Sequence, residues 1–243
     1  MFQKSLNQLK NNGLSLIGFS AILTLLPFII SLPGIFMDDE VSLLLSLISS
    51  AVQVILTIGF IKYIIRVASC NGKSSFKEIF SNFFMDLMAM IACYFVVGTI
   101  VAIMIIPIAI AYTFWAFTLD TGSAFVAILF GWIGMVLVVM IIGMIIGLFV
   151  TFIPYAILDE SLGEMRMGKR FALGFKLSKG NKLRIIGCYL LVSLINIIGT
   201  MCLFVGLIIT IPIGQLLMAN LYVDVRDKYL YGDIDEDAPI YEM

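Results

Sequence analysis

The chain has 243 residues, 61% of them hydrophobic and 13% charged, with a formal net charge of −1 and a mean hydropathy of +1.10. Soluble domains run nearer half apolar and a quarter charged, so a soluble core cannot hide these side chains and lipid is the implied solvent. The near-neutral total hides a polarised molecule, nothing in it suggests nucleic acid as a partner, and the absence of histidine removes the commonest zinc ligand and acid–base group.

About 20 apolar residues cross the hydrocarbon as a helix. The runs 14–36, 41–65, 87–107, 133–157, 184–204 and 207–225 predict six transmembrane helices, an all-α membrane protein with both termini inside. Phe2, Leu6 and Leu9 form a narrow stripe ahead of the first span, the pattern of an interfacial helix. A basic start followed by an apolar run also fits a signal peptide. However, Leu14–Phe36 is 23 residues, longer than such a core, and no A-x-A site follows, so it reads as a retained span.

The second run carries the strongest polar signal. Ser42, Ser46, Ser49, Ser50, Gln53 and Thr57 fall within about 100° of a helix circumference. Small hydroxylated residues commonly serve helix packing, which is the favoured reading; one wall of a hydrophilic path is the sharper alternative. Ser46, Ser49, Gln53 and Thr57, with Asn196 and Gln215 on later spans, are the candidate lining.

Phe76, Ile79, Phe80, Phe83 and Phe84 mark one face of a second interfacial helix, with Ser75 and Glu78 as its capping box. The next two runs, 87–119 and 123–158, are too long for one bilayer crossing. Pro107 disrupts helical bonding, and Tyr112, Phe114, Trp115 and Phe117 resemble an aromatic belt. These features predict a helical hairpin over 108–131, lying at or projecting from the outer surface. Two strongly tilted long helices are the alternative. Gly143 and Gly147, continued by Thr151, make a small-residue ridge suited to close helix contact.

Ser161 and Glu164 offer a cap for a third interfacial helix over 162–178. This segment leads into the densest cation cluster: Arg166, Lys169, Arg170, Lys176, Lys179, Lys182 and Arg184. These are the candidate contacts for anionic lipid. Beyond Arg226 comes an acidic stretch, 227–243, that includes Asp233, Asp235, Glu236 and Asp237.

All fifteen Lys and Arg fall at alternate ends of the runs: before the first, and at the end of or after the second, fourth and sixth. The other connections hold only Asp38, Asp39, Glu40 and Asp120. A cation at bilayer depth costs about 2.5–3.5 kcal/mol on insertion scales, and the Lys/Arg bias of short loops sets orientation. Positive loops therefore predict a cytoplasmic N- and C-terminus.

The cation-bearing segments also align with one another. Phe2, Phe76 and Phe171 open three units; Asn12, Asp86 and Asn181 precede their spans; Gly18, Ala92 and Gly187 follow in register. Units 2–66, 76–158 and 171–226, each an interfacial helix followed by a helical hairpin, would compose a membrane domain over 1–226 with 227–243 as its tail.

For enzymatic chemistry the inventory is thin: no HExxH, Gly-rich phosphate loop or GxSxG is present. Asp86, Asp159 and Glu160 lie at span ends and read as a solvated boundary, since Asp159 and Glu160 alone are an incomplete metal ligand set. Cys70, Cys93, Cys188 and Cys202 read as small apolar residues. No ionisable group falls in mid-span, as an ion-coupled transporter usually requires.

Ile153-Pro154-Tyr155-Ala156-Ile157-Leu158-Asp159-Glu160, then Ala172-Leu173 and Lys179-Gly180-Asn181-Lys182, carry a likeness. The chain resembles the membrane domain of bacterial glycerophosphodiester phosphodiesterases and the related YciC-like membrane proteins. Lys176 stands where that pattern often has a serine. The resemblance implies a six-span domain. The hydrolase needs a separate catalytic domain, and the short stretch after Arg226 is not expected to supply it. The expectation is an accessory membrane protein without a cofactor. It would organise lipid, or a protein partner docked through the cytoplasmic helices or the acidic tail. An uncoupled channel or transporter for a small hydrophobic or lipidic molecule is the alternative, and an enzyme acting on lipid the third.

Overall fold

A computed structural model describes residues 2–70, 83–117, 124–163, 165–201 and 205–232. The described residues contain helices and no strands. In chain order these are α1 (Phe2–Ser31), α2 (Asp39–Cys70), α3 (Phe83–Phe117), α4 (Ala124–Val150), α5 (Ile153–Leu158), α6 (Met167–Gly180), α7 (Lys182–Met201) and α8 (Val205–Tyr231). Short 3-10 turns follow α1 and α5. Six helical stretches are long and apolar enough to cross a membrane, which makes this a multi-pass membrane protein.

α1 packs on α2, and both pack on α8, which also lies along α7. α3 lies against α4, while the short α5 touches α2, α3 and α6. The core follows from that arrangement. Leu16 and Phe19 of α1, Ile58 and Ile64 of α2, and Leu216 and Tyr222 of α8 are fully or almost fully buried. Phe19 stacks on Phe60 and Tyr63, with ring centroids 5.4 and 6.2 Å apart.

Several expectations change. α1 is one uninterrupted helix, so its first turns do not form a separate interfacial segment. Leu6 faces outward, while Ser5, Gln8 and Asn12 are buried. The reason is polar satisfaction: Gln8 Nε2 donates to the carbonyls of Val67 and Ala68 at 3.0 and 3.4 Å, near the end of α2. Such terminal carbonyls lack intrahelical partners. Asn220 Nδ2 in turn donates to Ser5 Oγ and Gln8 Oε1 at 2.8 and 2.7 Å.

α3 continues through Pro107 to Phe117 without a break. Its 35 residues reach about 52 Å, against roughly 30 Å of hydrocarbon. The fourth span does break, between Val150 and Ile153, with Pro154 in the first turn of α5, a position where its missing N–H costs nothing. The third cationic helix starts at Met167, not after Ser161, and the 3-10 turn before it is capped by Asp159. α8 runs on to Tyr231, so the stretch after Arg226 begins as helix. The stripe at Phe76, Ile79 and Phe80 with its cap, Glu164, Asp120 and residues 233–243 lie outside the described residues.

Candidate functional site

The helix ends that carry Lys and Arg, namely the start of α1, the end of α2, α6, the start of α7 and the end of α8, gather at one end of the bundle with α5 and the acid-bearing start of α3. Two ionic clusters knit them together. In the first, Lys62 of α2 is 2% exposed and places Nζ 2.6 Å from Asp86 Oδ2 of α3 and 2.8 Å from Glu160 Oε1. Arg66, one turn further along α2, also pairs with Glu160. Burial pushes the Glu160 carboxyl up, but the hydrogen bonds and charges of Lys62 and Arg66 overcome that and hold it below its ordinary value.

In the second cluster, Asp159 is the centre. Its Oδ2 accepts from Arg226 Nη1 at 2.5 Å and from the Tyr222 hydroxyl at 2.9 Å. Its Oδ1 accepts from the backbone N–H and hydroxyl of Ser161 at 2.9 and 2.6 Å. Arg226 also reaches Ser161 Oγ at 2.7 Å and pairs with Asp227 at 2.7 Å. A buried carboxylate is costly unless its lone pairs are filled, and here each oxygen has at least two donors.

These clusters correct the sequence reading of Asp86, Asp159 and Glu160 as a solvated boundary. Asp86 and Asp159 are buried and paired, and Glu160 is half-exposed and paired. The signal that could have found them was the lysine at position 62. It lies inside the apolar run 41–65, where an ionisable group needs a partner. Among the described residues no group of three or more His, Cys, Asp or Glu is placed to hold a metal ion.

The seven candidate lipid-contacting cations divide. Arg170 turns inward and donates to the carbonyls of Met165, Ile157 and Gly163 at 3.1, 2.9 and 2.6 Å. Gly163 supports that turn with φ +56°, a conformation that favours glycine. Lys176 donates to the Tyr229 hydroxyl at 2.7 Å, and Arg184 pairs with Asp224 at 3.4 Å, both on the surface. Lys182 lies over the Phe149 ring, 4.0 Å from its centroid. Arg166, Lys169 and Lys179 are exposed.

α6 reaches this position through a close backbone contact. A Cβ at Gly174 would stand 2.7 Å from Ile153 Cα and 2.9 Å from the Phe152 carbonyl oxygen. Ser178 Oγ accepts the Phe152 N–H at 3.1 Å, filling an amide freed by the break in the fourth span.

The six candidate lining residues do not converge through hydrogen bonds. Ser46 and Thr57 bond back to carbonyls of their own helix, at Leu43 and Gln53, and Ser49 donates to the Pro27 carbonyl on α1 at 2.8 Å. Gln53 is exposed. Gln215 accepts from the Tyr155 hydroxyl at 3.1 Å, while Asn196 Oδ1 is buried without a partner.

Two open grooves lie beside the cationic end. One, of about 420 Å³, runs between α3 and α6 and is lined by Met85, Met88, Cys93, Met167 and Phe171 among others. The other, of about 470 Å³, runs between α4 and α7. Both are walled mainly by apolar side chains, and neither reaches Gln53.

No family profile, curated protein or solved structure matches this chain.

Proposed function

We propose that this chain is a non-enzymatic accessory protein of a bacterial cytoplasmic membrane, organising anionic lipid or a protein partner through its cation-rich end. The observation that carries the reading is a division of charge. Asp86, Asp159 and Glu160 are committed to internal pairs, while Arg166, Lys169 and Lys179 point away from the bundle. The outward field of α6 is therefore positive, and each such residue near an anionic leaflet contributes about 1 kcal/mol.

The finer topology belongs to the same proposal. Three hairpins with both termini inside follow from the alternation of cation-bearing segments, the first of them entered by the continuous α1 with no separate leading helix. The three-unit repeat rests on the aligned Asn12, Asp86 and Asn181, of which the first two are buried and the third half-buried. Kinship with the membrane domain of glycerophosphodiester phosphodiesterases and YciC-like proteins rests on the Ile153–Glu160 and Lys179–Lys182 motifs. An uncoupled transporter would need a polar path, whereas the α3–α6 and α4–α7 grooves are walled mainly by apolar side chains and miss Gln53.

The test is extraction in mild detergent followed by native mass spectrometry. Anionic phospholipid should be enriched over zwitterionic lipid. Replacing Arg166, Lys169 and Lys179 with glutamine should remove that enrichment. Recovery of neither lipid nor protein partner, together with release of a trapped hydrophobic solute from proteoliposomes, would instead establish the transporter. Single-cysteine labelling of sites in 166–182 from outside intact cells would overturn the orientation.

A further inference from the structure

The geometry points to the groove between α4 and α7 as a seat for one acyl chain of an anionic phospholipid, with its headgroup at the corner where α6 turns into α7. This rests on the lipid-organising reading above and names its site. The groove is walled by Gly147 and Leu148 from α4 and by Ile186, Tyr189, Leu190 and Ser193 from α7. On α7 the lining residues continue the face of Lys182: 182, 186, 189, 190 and 193 repeat at i, i+4, i+7, i+8 and i+11, one stripe of a helix. A cation thus stands at the mouth of an apolar channel, one turn before its wall begins.

The two helices are held together beside that mouth. Thr151 and Tyr189 hydroxyls lie 3.3 Å apart, and Lys182 Nζ sits 4.0 Å from the Phe149 centroid. Beyond the contact the helices leave space: a Cβ added at Gly147 would meet nothing within 4 Å. Lys179, Lys182 and Arg184 line a separate polar hollow at the corner, together with Asn181. The combination is an apolar slot with Lys182 one turn before its wall and Lys179 exposed on the adjoining corner, while Arg184 is paired with Asp224. Its complement is an amphiphile with a negative head and a hydrocarbon tail. A transmembrane helix of another protein would match the slot but bring no anion to Lys179 and Lys182. A free phosphate would match the cations but leave the slot unfilled.

The experiment uses the full chain in nanodiscs of phosphatidylglycerol and phosphatidylcholine, released into detergent and weighed by native mass spectrometry. The wild type should retain one phosphatidylglycerol. Gly147→Phe fills the slot from a position with open space around it and should abolish retention. Ser193→Leu, on the opposite wall, should weaken it independently. Gly98→Phe, at an equally open glycine on α3, should leave it unchanged. Lys182→Gln should keep a lipid bound but reduce the preference for phosphatidylglycerol about fivefold. Added inorganic phosphate should not displace the lipid.

Equal retention in wild type, Gly147→Phe and Ser193→Leu would overturn the groove while leaving the broader lipid reading intact. Unchanged headgroup preference in Lys182→Gln would overturn the assignment of the mouth. A mass of two copies, with no lipid, would make the slot a protein interface and overturn the proposal. Loss of all retained lipid and all retained protein in the wild type would remove the broader reading as well.

Discussion

The two halves of α2 are built differently. From Ile58 to Ala68 it is buried almost continuously and carries Lys62 into two acids. From Val41 to Val54 most of its side chains face the surroundings, Leu43, Leu44 and Leu47 among them. The same contrast separates whole helices: 61% of the apolar window of α8 is enclosed by protein, against 11% for α2 and α3. In lipid, one apolar side chain gains little by leaving hydrocarbon for another, so greasy contact alone does not draw helices together. Polar groups have no such alternative and must find one another. The molecule is accordingly tight where it is charged and open where it is apolar.

That contrast is broken most directly at Lys62. Lys62→Met leaves Asp86 and Glu160 without their shared cation and should destabilise the fold by about 3–5 kcal/mol, read as a shift in a detergent unfolding titration. Pairing it with Asp86→Leu should restore most of the loss, because a buried ion pair is often replaceable by matched apolar groups. A single variant as stable as the wild type would mean the cluster does not hold the helices.

Asp159→Asn comes next. Arg226 keeps Asp227, so the expected cost is lower, about 2–3 kcal/mol for the charged hydrogen bonds lost. Gly174→Ala tests packing at the same end: its Cβ meets backbone rather than a movable side chain, for an expected cost of about 1–3 kcal/mol. Both are measured in the same titration.

Acid should loosen the first cluster. Glu160 is held below its ordinary value by Lys62 and Arg66, so its pairing favours the folded state at neutral pH. That contribution is complete above the unfolded value of about 4.3 and is lost as pH falls through the lower folded value. Thermal midpoints followed from neutral to about pH 3 should fall in that window, and Glu160→Gln should flatten the decline. Gln53→Leu, in the open half, should change stability by less than about 0.5 kcal/mol. A larger loss there would show that the outer half of α2 is held by more than hydrocarbon.

The sequence revealed the spans because each needs a long apolar run with a positive segment at one end, and both signals are local. Partners were not readable. Asp159 looks like any boundary carboxylate until α8 brings Tyr222 and Arg226 to it, 63 and 67 residues later. The stripe of Phe2, Leu6 and Leu9 misled for a related reason. In its first turns α1 buries Ser5, Gln8 and Asn12 while Leu6 faces outward and Leu9 is only partly buried, and apolar burial begins further along at Leu16 and Phe19. Arg170, one of seven similar cations by sequence, is set apart only by the three carbonyls the fold aims at it.

The central position of α8 bears on how the protein is made. This helix leaves the ribosome after every helix it touches. Asn220 must meet Gln8 across 212 residues of chain, and Asp159 waits for Arg226. During synthesis, therefore, a partly inserted chain holds carboxylate and amide groups whose eventual companions do not yet exist. Insertion machinery or headgroup water has to shelter them until the final span arrives and closes the assembly.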